Sequence, residues 1–147
     1  ISLGHYSGSS KNFVEWMRVD AGGNLGIGTK NPQHPLEFGN GAHVTAGGVW
    51  KNSSSRERKE NIADLTETEA MSALEELNPV KFNYRVEKQE EYVGFIAENV
   101  PELVANRDRK SLSTMDIVAV LTKVVQSQQE TISRLEEEIE HLKQEHQ

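Results

Sequence analysis

From Val118 onward, apolar residues recur at alternating intervals of three and four. The positions are Val118, Leu121, Val125, Ile132, Leu135, Ile139 and Leu142, with Gln128 in the one polar place. This is a heptad seam, with Val118, Val125, Ile132 and Ile139 at a and Leu121, Gln128, Leu135 and Leu142 at d. The pattern predicts one long helix over residues 111–147 whose narrow stripe seeks matching helices of other chains. Ile at a with Leu at d leans toward two strands in isolated coiled coils. Gln128 at d and the upstream domain can override that preference, so the helix alone leaves the number of strands open. Glu138 falls at g and Lys143 at the following e, which suits an interchain ion pair in a parallel register. The competing reading is a single amphipathic helix packed on its own domain.

Residues 53–110 are mixed. Thr66 followed by Glu69 forms a capping-box signature for a helix over Glu67–Leu77, with Ala70, Leu74 and Leu77 as its apolar stripe. Asn78-Pro79 ends it. Val80–Tyr84 alternates as a half-buried strand, and Tyr92–Ala97 reads as a second. Glu98–Val104 continues as a short helix or turn. Before these, residues 1–52 hold most of the glycine and show no helical period. Short strands are predicted at Phe13–Val19, Leu25–Gly28, Leu36–Phe38, Ala42–Ala46 and Val49-Trp50, separated by turns such as Asp20–Asn24 and Gly39–Gly41. So few apolar residues per strand cannot stabilise a sheet in one copy, but three chains around one axis could.

Composition supports a core completed by partner chains. Apolar residues make up 35% of the 147, below the roughly 45–50% usual for globular domains, and charged residues 27%. The net charge of −7 argues against nucleic-acid binding and against adhesion to anionic membranes. Cysteine is absent, which excludes disulfides and thiolate chemistry. No apolar run approaches the roughly 18 residues that span a bilayer. The chain begins at Ile1 without a Met or a signal-peptide pattern, and so reads as part of a longer one.

Ser54 and Lys59 are the residues best placed for chemistry. A serine hydroxyl becomes a nucleophile when a base takes its proton, and a lysine serves as that base when burial or nearby positive charge disfavours its ammonium form. Arg56 and Arg58 flank the pair, and a turn could close the five-residue gap. Spacing alone is a weak signal and favours a solvated basic linker. Other candidates fall away. Gly28-Thr29-Lys30 has the wrong order for a phosphate loop. His141 and His146 lie five apart and do not share a helix face, so no metal site is implied. Asn52-Ser53-Ser54 matches a short glycosylation pattern that arises often by chance. Trp16 and Trp50 could stack on a sugar, though such tryptophans more often pack at chain interfaces.

The stretch from Ser54 through Lys59-Glu60-Asn61-Ile62, then Leu77–Tyr84, then Gly94–Val104 and the helical tail resembles the C-terminal intramolecular chaperone of phage endosialidases, tailspikes and tail fibres. The resemblance covers residues 53–147. Residues 17–50 more weakly resemble linking segments that precede this domain in fibre-like proteins. The resemblance implies a homotrimer, guidance of the upstream fibre's folding, and self-release by a Ser–Lys dyad. Ser54 would be the nucleophile, Lys59 the base, and Ser53–Ser54 the scissile bond. It implies no cofactor, and a place in the virion tail after assembly in the host cytoplasm. Members carry Arg three residues after the serine, where this chain has Glu57, and many carry Asp where it has Ser55. A carboxylate near the lysine favours the protonated amine.

The expected fold is therefore α+β. A β-rich trimeric fibre segment would span residues 1–53, a small mixed chaperone core 54–110, and a trimerising coiled-coil helix 111–147. Two other readings stand beside it: an uncleaved trimeric cap on a fibre or bacterial surface protein, and a receptor- or glycan-binding fibre tip.

Overall fold

The computed structural model describes residues 1–7 and 12–145; His146 lies outside the described residues. The chain divides into two compact units, residues 1–62 and 63–147. It is a mixed α/β protein with a sheet-rich part and a long C-terminal helix.

The first unit is a six-stranded sheet in the order β1 (Ser2–Ser7), β2 (Asn12–Val19), β3 (Leu25–Ile27), β4 (Leu36–Phe38), β5 (His43–Val44) and β6 (Trp50–Lys51). All neighbours are antiparallel except β3 and β4, which run parallel. At the β2–β3 turn, Asp20 accepts a hydrogen bond from the Asn24 amide at 2.9 Å, and Gly23 takes φ +85°. That backbone amide is the chief reason the Asp20 carboxyl is held below its ordinary range. β1 was not anticipated. Its one apolar residue before the tyrosine is Leu3, and its place is set by pairing with β2 rather than by its own pattern.

Register sorts this sheet into rows. Leu3, Met17, Ile27 and Phe38 stand side by side, as do Val19, Leu25, Leu36, Val44 and Trp50. Between them run Arg18, Gly26, Glu37, His43 and Lys51, which point to the opposite face because side chains alternate along a strand. A bulge between Leu3 and Gly4 skips Trp16 and turns Glu15 to the same side as Arg18. The two then form an ion pair at 2.7 Å. No member of the two apolar rows is buried.

The second unit has a core of its own. α1 (Glu67–Glu76) begins at a capping box: the Glu69 amide donates to the Thr66 hydroxyl, and the Glu69 carboxylate accepts from the Thr66 amide at 3.0 Å. Ala70 and Ala73 are its buried residues, with Leu74 and Leu77 partly covered. Ala73 was absent from the expected stripe, yet it is buried in the core cluster. β7 (Val80–Tyr84) and β8 (Glu87–Gly94) form a hairpin. β8 therefore starts five residues before the expected strand and ends at Gly94. Its first half is almost wholly charged and is carried by hairpin closure from Tyr84 to Glu87, while Phe95 leaves the sheet to pack on the core. Two 3-10 turns, Ala97–Asn99 and Glu102–Val104, follow.

α2 (Thr114–Glu145) packs on α1 and the second of these turns through Ile117, Val120 and Val124, beside Val100 and Val104. The seam residues Val118, Leu121, Val125, Ile132, Leu135, Ile139 and Leu142 lie on a different face and are 43–60% exposed. The helix thus packs on its own domain along one stripe and leaves a second apolar stripe bare. No described helix is long and apolar enough to cross a membrane.

Candidate functional site: a Ser–Lys pair at a 3-10 turn

Ser54 and Lys59 meet because the chain between them closes into one tight turn. Ser55 is extended (φ −61°, ψ 142°), Arg56–Arg58 form a 3-10 turn, and Lys59 is extended again (φ −126°, ψ 147°). The Arg58 amide donates to the Ser55 carbonyl and the Lys59 amide to the Arg56 carbonyl, each at 3.1 Å. The turn sends the lysine side chain back along the chain, and its Nζ donates to Ser54 Oγ at 2.7 Å. Both residues are exposed. Asn61, two residues later, takes φ 53°, a left-handed conformation that Asn tolerates better than most residues.

The upstream side of the Ser53–Ser54 bond is held by the sheet. The Trp50 indole N–H donates to the Asn52 side-chain oxygen at 2.5 Å. Ser53 is half-buried beside the β4–β5 turn, where a Cβ added to Gly41 would sit 3.7 Å from the Ser53 hydroxyl. Gly41 takes φ +88°, so that turn favours glycine. The Ser53–Ser54 peptide thereby lies between the end of β6 and the 3-10 turn. The Trp50–Asn52 contact could not be read from the sequence, where Asn52 figured only in a short glycosylation pattern and Trp50 only as a stacking or interface candidate.

Arg56, Glu57 and Arg58 are exposed and make no ion pair among the described residues. Among the described residues no group of three or more His, Asp or Glu side chains could hold a metal ion. Lys143 pairs at 3.8 Å with Glu140 on its own helix. His43 stacks on His34 with ring centroids 3.7 Å apart.

The family model described as chaperone of endosialidase matches residues 54–108, beginning at the serine of this pair. Residues 54–108 are an endosialidase-type chaperone domain. No curated protein and no solved structure matches the chain. Within the chaperone domain lie the dyad turn, α1, the β7–β8 hairpin and both later 3-10 turns. The sheet of β1–β6 and α2 fall outside the matched stretch.

Proposed function

We propose that this protein is an intramolecular chaperone of a phage tail fibre or spike, which assembles as a homotrimer through α2 and then releases itself by cutting between Ser53 and Ser54. The observation that carries the reading is the 2.7 Å Lys59–Ser54 contact at the first residue of the chaperone domain. As drawn, the amine donates to the hydroxyl. In the reactive form the direction reverses: a neutral Lys59 amine accepts the Ser54 proton. Ser54 Oγ then attacks the Ser53 carbonyl carbon. The C–N bond breaks as the amide nitrogen takes the proton from Lys59, leaving an ester. Water hydrolyses that ester, giving a carboxylate on Ser53 and a free amine on Ser54. Because nucleophile and carbonyl belong to adjacent residues, proximity supplies much of the acceleration.

Exposure of the dyad gives the reaction an order. A lysine base works where water is excluded, and a single copy leaves this one in solvent. Neighbouring copies brought in by α2 supply the missing cover, so cleavage follows assembly. The bare apolar stripe on α2 supports that step, since exposed patches of this kind mark association sites. The match to the chaperone family supports placing this trimer in a virion tail, acting on the fibre portion of the same polypeptide. Gel electrophoresis of the denatured protein tests the reading. Wild type resolves into pieces ending at 53 and starting at 54, and Ser54→Ala stays whole. Wild type and Ser54→Ala both running as one full-length band would instead make the domain an uncleaved cap.

A further inference from the structure

We propose that the face of the β1–β6 sheet carrying the two apolar rows is an interface between copies of this chain, and forms the interior of the assembled sheet region. This rests on the homotrimer reading and adds to it a surface on the first unit. Among the described residues of 1–62 only Ala42 and Pro32 are buried among side chains larger than glycine, so these strands have no second layer of their own. Yet every position in the two rows is apolar, and the row between them, on the other face, is polar or glycine. At about 4.8 Å per strand spacing, the apolar surface is on the order of 24 Å wide.

The chain's own loop covers the wrong face for a self-contained fold. The β3–β4 crossover lies over the polar row. A Cβ on Gly26 would fall 2.7 Å from the Thr29 carbonyl and 3.3 Å from the Pro32 ring. The Arg18 guanidinium donates to the Lys30 carbonyl at 2.6 Å, and His34 stacks on His43. The crossover thus lies on the polar side, while on the apolar side Leu3, Val19, Ile27 and Trp50 are more than a third exposed. A covering surface must be uncharged and about as broad. The same face on another copy meets both requirements. The α2 seams, by joining copies, raise the local concentration at which these faces meet.

Trp50 belongs to one of the rows and rests edge-on against Phe38, so it reports the cover directly. The chain has two tryptophans, and Trp16→Phe leaves Trp50 alone. In that background, with Ser54→Ala added so that the chain stays whole, acrylamide quenching of Trp50 is measured beside the molar mass by light scattering. The reference is the same protein carrying Ile132→Asp and Ile139→Asp. The expected result is a trimer mass with quenching several-fold weaker than in the reference. Leu36→Lys, in the apolar row, restores quenching; Glu37→Lys, in the polar row, does not. A trimer whose Trp50 is quenched as strongly as the reference overturns this inference and leaves the helix-driven trimer standing. A monomer overturns both.

Discussion

Lys59 reaches back over five residues to hydrogen-bond the Ser54 hydroxyl at 2.7 Å. The contact depends on the Arg56–Arg58 turn and on no residue distant in sequence. It therefore needs no partner copy. In the proposed reaction, a base in contact with its nucleophile but open to water is held at the first step.

Lys59→Ala removes the base and blocks cleavage while leaving the trimer mass unchanged. Lys59→Arg keeps the positive charge but provides no neutral amine at working pH, and blocks cleavage as well. Gel electrophoresis with light scattering checks both. Loss of the trimer in Lys59→Ala would make the residue structural.

Val120 and Val125 lie five residues apart on α2 with opposite duties. Val120 is 1% exposed in the chain's own core, whereas Val125 is 60% exposed on the seam. Val120→Ala should cost about 2 kcal/mol at any protein concentration, through lost burial and the cavity left behind. Val125→Ala should lower stability in a way that depends on protein concentration, because its loss falls on association. Urea melts at two concentrations separate the two outcomes.

Acid should loosen the start of α1. The Thr66 hydroxyl and then its amide hold the Glu69 carboxyl below the ordinary carboxylate range. A depressed carboxyl contributes stability that is present above its unfolded value, near about 4.3, and is lost as pH falls through the folded one. Urea midpoints measured from pH 6 to pH 3 should fall at the acid end. Glu69→Gln should flatten that part of the curve, and an acid limb unchanged by it would assign the loss to other carboxylates. Thr66→Ala should cost about 1 kcal/mol at neutral pH, as loss of an N-cap does.

Replacing Ile132 and Ile139 together by Asp should give monomers or aggregates by light scattering, since two a positions of the seam become charged. Unchanged mass would show that the stripe does not hold the copies together.

Much of this was legible because it is local. The capping box at Thr66 and Glu69, the β7 alternation and the heptad seam each sit within a few residues, and each can be read from its own spacing. The Ser54–Lys59 approach was visible as a separation of five, but the 3-10 turn that closes it carries no distinctive pattern. What stayed hidden depends on pairing between distant segments. β1 and the charged half of β8 take their places from neighbouring strands. The parallel β3–β4 pair needs a crossover whose path is fixed by the bare backbone of Gly26. The second stripe of α2 was hidden for a different reason. Ile117, Val120 and Val124 each lie within a position or so of a seam residue, so the two stripes merge into one broad apolar band as far as Val125. After Ser127 the band narrows to a and d alone, which marks where the helix leaves its own domain.

The intact mass of the denatured chain, with and without the seam, is the most direct test of assembly followed by release. Wild type should divide at Ser53–Ser54 into two masses, while the Ile132→Asp, Ile139→Asp protein keeps the single 16.5 kDa mass. An undivided wild type, or equal division in the monomeric variant, would contradict it.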